Sequence, residues 1–217
     1  MREGEPLLDL AWIERNLDQI ADRLLQHLNL TLIAVISGFA MTFLLVLLIR
    51  RWRRLLRPLA ASAAVIYTIP SLALFALLVP VFGLSLLTAQ IALVGYTLFI
   101  LLRTFVAGLD GVSADVREAA AGMGYSPWQS LWRVELPLAL PQIVAGLRVA
   151  TVTTIGLVTV AAFVGQGGLG QLILSGLRTF FATPVYVGAL LSVGLAFAAD
   201  LLLLRLERRL GGWSRAR

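Results

Sequence analysis

Residues 28–57 read LNLTLIAVISGFAMTFLLVLLIRRWRRLLR. The first 22 of these, Leu28–Ile49, hold no charged side chain, and the last eight hold five arginines. A helix rises about 1.5 Å per residue, so about 20 apolar residues cross the roughly 30 Å of hydrocarbon in a bilayer. Leu28–Ile49 has that length, and the arginines stop it at a water boundary. Four more stretches pass the same test: Leu59–Phe82, which contains Pro70 and Pro80, Leu84–Ala107, Pro141–Val164 and Val185–Leu204. Such runs do not enter lipid as open strands or loops, because each unpaired backbone group there costs several kcal/mol. The sequence therefore predicts an all-α membrane protein with five transmembrane helices.

The composition agrees. Hydrophobic residues make up 59% of the 217-residue chain and charged residues 14%, where a soluble domain holds about a quarter charged. All 18 basic residues are arginine, against 12 acidic ones, for a net charge of +6. In a soluble protein a pI near 10.9 would suggest nucleic acid. Here the arginines lie between apolar runs, so they report membrane topology and no nucleic-acid partner is expected. With no cysteine, the chain has no disulfide, thiolate metal site or cysteine nucleophile, and the single histidine, His27, cannot build a metal site alone. Residues 1–27 hold six acidic residues and no signal-peptide pattern.

Arginine placement sets the orientation. Five follow the first span, Arg103, Arg117 and Arg133 lie between spans three and four, and Arg205, Arg208, Arg209, Arg215 and Arg217 follow span five. With five spans these segments share one side, and the opposite side has only Arg2, Arg15, Arg23 and Arg178 beside an acidic N-terminus. The positive-inside rule then gives N-terminus out and C-terminus in, across the inner (cytoplasmic) membrane. Leu8, Ile13, Leu17, Ile20, Leu24 and Leu28 suit either an amphipathic helix on the outer surface or a helical extension of span one. No repeat or low-complexity tract appears. The expected organisation is an external segment 1–27, a transmembrane domain 28–210 with a cytoplasmic loop 108–137, and a tail 211–217.

That loop is too polar to cross the bilayer. Asp115 with Glu118 matches a capping box that opens a short helix, and Gly122 and Gly124 are candidates to end it. Ser126 with Gln129 matches a second capping box, with Pro127 at the favoured first helical position, and Pro137 and Pro141 bound the chain beyond it. The prediction is a bent pair of short helices joined at Gly124. Met123, Tyr125, Trp128 and Trp132 are large groups in a water-facing segment; they either anchor a protein interface or pack back on the membrane helices.

Glu118-Ala119-Ala120, three residues, Gly124, nine residues and then Val134-Glu135-Leu136-Pro137 resembles the EAA loop of ABC importer permeases, with Val for the commoner Ile. It also lies where that family places it, between the third and fourth of five core spans. The resemblance implies a type I importer permease whose coupling helix docks on a cytosolic ATPase. Glu118, Ala119, Ala120 and Gly124 would shape the loop, and Met123, Gly124, Tyr125, Ser126, Pro127 and Trp128 would enter the ATPase cleft. It implies ABC ATPase subunits carrying ATP and Mg, a second permease subunit, an external solute-binding protein, and no cofactor bound by this chain. Tyr67–Leu74, Gly122–Trp128 and Ala161–Gly170 are similar to the glycine betaine, choline and carnitine permeases, with methionine permeases the nearest competitor and an ATP-independent channel or scaffold the rival of another class.

Other motifs add detail. No phosphate-binding Gly-Lys-Ser/Thr loop is present, so this chain is not expected to be an enzyme. Gly165-x-Gly167-x-x-Gly170 matches a dinucleotide fingerprint in letters only, since it follows a membrane helix and not a strand. Pro70 interrupts span two, and Tyr67, Thr68, Pro70 and Ser71 either line the solute path or form a packing kink. Arg148 and Asp200 each lie roughly 7–10 Å inside the cytoplasmic end of a span, at about 1.5 Å per residue. Charges at that depth are costly, so these two are expected to pair or else to snorkel separately. Thr151, Thr153, Thr154 and Thr159 line a pore or bond across helices.

Overall fold

The computed structural model describes residues 8–210. Residues 1–7 of the expected external segment and the tail 211–217 lie outside the described residues. Helix α1, Leu10–Arg15, starts at Asp9, whose carboxylate accepts from the Trp12 N–H. Helix α2 then runs unbroken from Leu17 to Arg51, 35 residues or about 52 Å, so it overshoots the hydrocarbon layer. Of the two readings left open for the residues before span one, the helical extension is the one present from Leu17 onward. Its Ile20 packs with Leu169, Leu172 and Val187, flanked by Trp12 and Ile13, so the apolar face meets protein.

A 3₁₀ turn, Arg53–Leu55, leads into α3, Leu56–Thr68, and α4, Ser71–Phe82. These two are bent by 100° at the intervening break. The sequence predicts one kinked span over Leu59–Phe82; the structure has two helices at nearly a right angle. The cause is local: Pro70 has no N–H and forces Ile69 out of the helical region, to ψ 127°. The Ile69 carbonyl freed by the break accepts from the Tyr96 hydroxyl.

Helix α5, Leu86–Asp110, is capped by Ser85 and forms the centre of the bundle. Leu93, Leu101, Leu102 and Phe105 on it are fully buried. It packs against α2, α3 and α4 and most extensively against α8, Leu136–Val160. Close approach is made by small residues: a Cβ on Gly38 of α2 would stand 2.6 Å from Thr97 Cγ2 on α5. Thr97 and Thr154 hydroxyls meet at 3.0 Å across α5 and α8, whereas Thr151 and Thr159 donate to carbonyls of their own helix.

Before α8 lie α6, Ala114–Gly122, and α7, Pro127–Ser130. The expectation that α7 is a separate short helix bounded by Pro137 does not hold. Helix α7 continues through a π-helical stretch, Leu131–Glu135, straight into α8, and Pro141 sits inside α8. The Leu136 N–H reaches back five residues to the Leu131 carbonyl. That widened turn makes room for the Pro137 ring, which cannot donate to the preceding turn. After a 3₁₀ turn, Ala161–Val164, come α9, Leu169–Thr179, and α10, Ala182–Leu210, which packs on α8 and α9. Helix α9 is absent from the sequence reading, which has only a glycine turn there. Among the described residues four helical runs are long and apolar enough to cross a membrane, and the bent pair makes a fifth.

Gly168 holds φ +43° with its Cα against the backbone of His27 on α2, where an added Cβ would meet His27 N at 2.6 Å and Cα at 2.7 Å. Gly168→Ala is therefore expected to cost on the order of 3 kcal/mol, from left-handed strain plus a backbone clash. Gly122→Ala, helical and with open space around it, is expected to be neutral or to stabilise by up to about 1 kcal/mol. Thermal unfolding of the two variants in detergent, compared with the unsubstituted chain, checks both.

Candidate functional site

The loop between α5 and α8 is built by its caps. Ser113, in extended backbone, accepts from the Val116 N–H and opens α6, so the cap lies two residues before the expected Asp115. Asp115 instead occupies the first turn, where its charge faces the positive end of the helix. At the other end only Gly124 is left-handed, at φ +83°, while Gly122 is the last helical residue. The Tyr125 N–H donates to Ala120 O at 3.0 Å and the Gly124 N–H to Ala121 O at 2.9 Å. This pair of bonds is a Schellman closure, which needs the left-handed residue at that place. Ser126 and Gln129 then exchange side-chain bonds with each other's backbone N–H in the predicted capping box, with Pro127 at the first helical position.

These two caps turn the chain sharply and push one surface outward. Glu118, Ala119, Met123, Gly124, Ser126, Pro127 and Trp128 are exposed, Tyr125 is half-buried, and Ala120 is wholly buried. Met123 at 67% and Trp128 at 58% exposure are large side chains left uncovered at the tip. Trp132, also exposed at 44%, sets its ring centre 5.8 Å from that of Phe43 on α2 and 5.6 Å from that of Trp128.

Beneath the tip, Glu135 is buried to 3% exposure. Arg50, near the end of α2, donates to both its oxygens, at 2.7 and 2.5 Å. Ser130 adds a hydroxyl bond at 3.1 Å, and Arg117 of α6 brings its Nε to 3.5 Å. Arg117 also donates to the Leu109 carbonyl at the end of α5. Sequence reasoning passed over Glu135, which fills an unrestricted place in the loop pattern. A signal was present: it is the one acidic residue between Glu118 and Asp200.

A second charged group joins α8 to α10. Arg148 donates to Asp200 with Nε at 3.0 Å and a terminal nitrogen at 2.9 Å, and its other terminal nitrogen donates to Glu207 at 2.7 Å. Glu207 was not anticipated; it lies two helical turns beyond Asp200, on the same face.

The residues around the α3–α4 break do not converge. The Tyr67 ring stacks on Phe99 at 4.3 Å and meets Tyr96 edge-on at 5.7 Å. Thr68 donates to Val65 O in its own helix. Pro70 is exposed and Ser71 half-buried. The polar group that serves the break is Tyr96 of α5, which the sequence reading did not name.

The family model described as binding-protein-dependent transport system inner membrane component matches residues 31–212. The chain is 38% identical over 197 residues to the osmoprotectant import permease protein OsmW of Salmonella typhimurium (strain LT2), covering 88% of this chain and 92% of that one. It is 33% identical to the choline transport system permease protein OpuBB of Bacillus subtilis (strain 168), covering 93% of each. The carnitine transport permease protein OpuCB of Listeria monocytogenes is 36% identical over 85% of each chain. In fold, the chain is similar to a chain of the MetNI methionine ABC transporter in an inward-facing conformation, with TM-score 0.77 and 24% identity, covering 85% of this chain and 93% of that one.

Because Arg148 faces two carboxylates, either alone leaves the guanidinium partnered. Asp200→Asn and Glu207→Gln are each expected to cost about 1 kcal/mol, and the double variant more than their sum, since it strands a charge within the helix bundle. Denaturant-induced unfolding of the three variants in detergent measures the difference.

Proposed function

The chain belongs to the binding-protein-dependent transport system inner membrane components, and from that premise we propose that it is the transmembrane permease subunit of an ATP-driven importer for a compatible solute. The solute class is a small quaternary ammonium compound such as glycine betaine, choline or carnitine. What supports this is the run of relatives named for those solutes, at 32–38% identity over most of the chain.

The observation that carries the mechanism is the exposed tip of the 108–137 loop. A compact, doubly capped turn that leaves Met123 and Trp128 uncovered suits a cleft on a separate ATPase, which binds ATP and Mg. The chain binds no cofactor of its own. On this reading α6 and α7 are the coupling element, facing the cytosol, with the N-terminus outside and the C-terminus inside the inner membrane. A second permease subunit completes the path, and an external binding protein delivers the solute. Closure of the ATPases would displace the tips and rock the two permease subunits between inward- and outward-open states.

The test is purification from membranes followed by uptake in vesicles. An ATPase is expected to copurify, and ATP with binding protein is expected to drive uptake of labelled betaine, choline or carnitine. Gly124→Ala, which strains the left-handed closure by about 1 kcal/mol, is expected to lower uptake more than ATP hydrolysis. Uptake of methionine in place of these solutes would move the substrate class to amino acids. A chain that conducts with no ATPase attached would be a channel and would end this reading.

A further inference from the structure

On this reading the importer has to pass a displacement of α6 and α7 into the spanning helices, and the structure limits where that can happen. Helix α6 packs chiefly on α7 and the π-helical stretch. A cleft of about 360 Å³, lined by apolar Val46, Ile49 and Leu109 and by charged Arg50, Arg117 and Glu135, lies between the loop and the ends of α2 and α5. Beside the cleft, Leu131 joins Val46, Ile49 and Leu109 in one apolar cluster and Trp132 meets Phe43 of α2; across the cleft itself, the loop is tied to α2 by charged side chains.

Those contacts converge on one carboxylate. Glu135 takes both nitrogens of Arg50 from α2, the Ser130 hydroxyl from α7 and the approach of Arg117 from α6. Arg50 also reaches the Pro127 carbonyl at 3.4 Å, at the root of the tip. Arg53 of the 3₁₀ turn bonds Asp110 at 2.9 Å, but both side chains are exposed, so that pair is screened. Glu135 is the last residue of the π-helical stretch, where one widened turn interrupts the helix leading into α8. A helix is most easily bent at such a turn, so the backbone route into α8 is the compliant one.

We infer that Glu135 is the positioning residue that ties the coupling loop to the first span: the bidentate bond of its buried carboxylate to Arg50 makes α2 move with α6 and α7, while the π-helical turn lets α8 change angle. A carboxylate suits this task because two parallel charge-assisted bonds fix orientation as well as distance. Its burial makes separation costly, since parting would leave a buried carboxylate with only Ser130 and the longer approach of Arg117.

The experiment uses the whole importer, purified with its ATPase and reconstituted in liposomes with binding protein. For Glu135→Gln we expect the ATPase still to copurify and basal hydrolysis to persist, while solute moved per ATP falls roughly ten-fold, within the range of ordinary coupling interactions. Because the chain has no cysteine, spin labels at Ala114→Cys and Arg51→Cys can report the loop-to-α2 distance. That distance should stay constant on ATP addition in the parent protein and change by several ångström in Glu135→Gln. Arg50→Lys, which keeps the charge and loses the paired geometry, should show the same defect in weaker form, and it decides the matter should Glu135→Gln not assemble. An unchanged solute-to-ATP ratio, or a loop-to-α2 distance that behaves as in the parent, overturns the inference. Failure of the parent protein to recruit an ATPase would overturn the proposed function instead.

Discussion

A backbone that crosses hydrocarbon has to satisfy its own N–H and C=O groups, because no water is there to do so. That constraint makes the described chain almost wholly helical, and it governs the places where helices stop. At Pro70 the helix breaks, and the orphaned Ile69 carbonyl is taken by Tyr96. At Pro137 the ladder is widened to a π turn. At residues 113–126 the chain turns outside the bundle, and side-chain caps and a Schellman closure serve the exposed ends. Each irregularity is local and has a named cause.

The same economy governs charge. Among the described residues, two clusters of partly sheltered ionic groups stand out, Glu135 with Arg50 and Arg117, and Arg148 with Asp200 and Glu207. Each has three charged members drawn from more than one helix. Neither is placed to supply much net stability, because desolvation offsets most of the attraction between the charges. Their effect is geometric: they fix how the elements that carry them sit against one another. The first joins the loop to α2, and the second joins α8 to α10.

On the proposed function, the exposed loop is one end of a lever and the ionic clusters are its fixings. Gly168 and the small residues Gly38 and Gly146 have a related role in packing. They let α9 approach α2, α2 approach α5, and α8 approach α5 within distances that a side chain would prevent. Close approach of this kind is how helices associate in lipid, where there is no hydrophobic drive between them.

Much was legible in the sequence, for a physical reason: apolar run length, arginine position and cap chemistry are local properties. They supplied the membrane class, the apolar runs, and the polar loop with its Ser126–Gln129 box without knowledge of any contact. Other features depend on which side chains meet across more than 25 residues, and only the tertiary structure decided them. Tyr96 serving Ile69, Arg50 closing on Glu135, Glu207 joining the Arg148 pair, and α9 folding under α2 are all of this kind. A one-dimensional pattern records that a charge or a proline is costly where it stands. Only the packed bundle specifies which distant group removes that cost, because direction and distance are set by helix crossing and not by residue spacing.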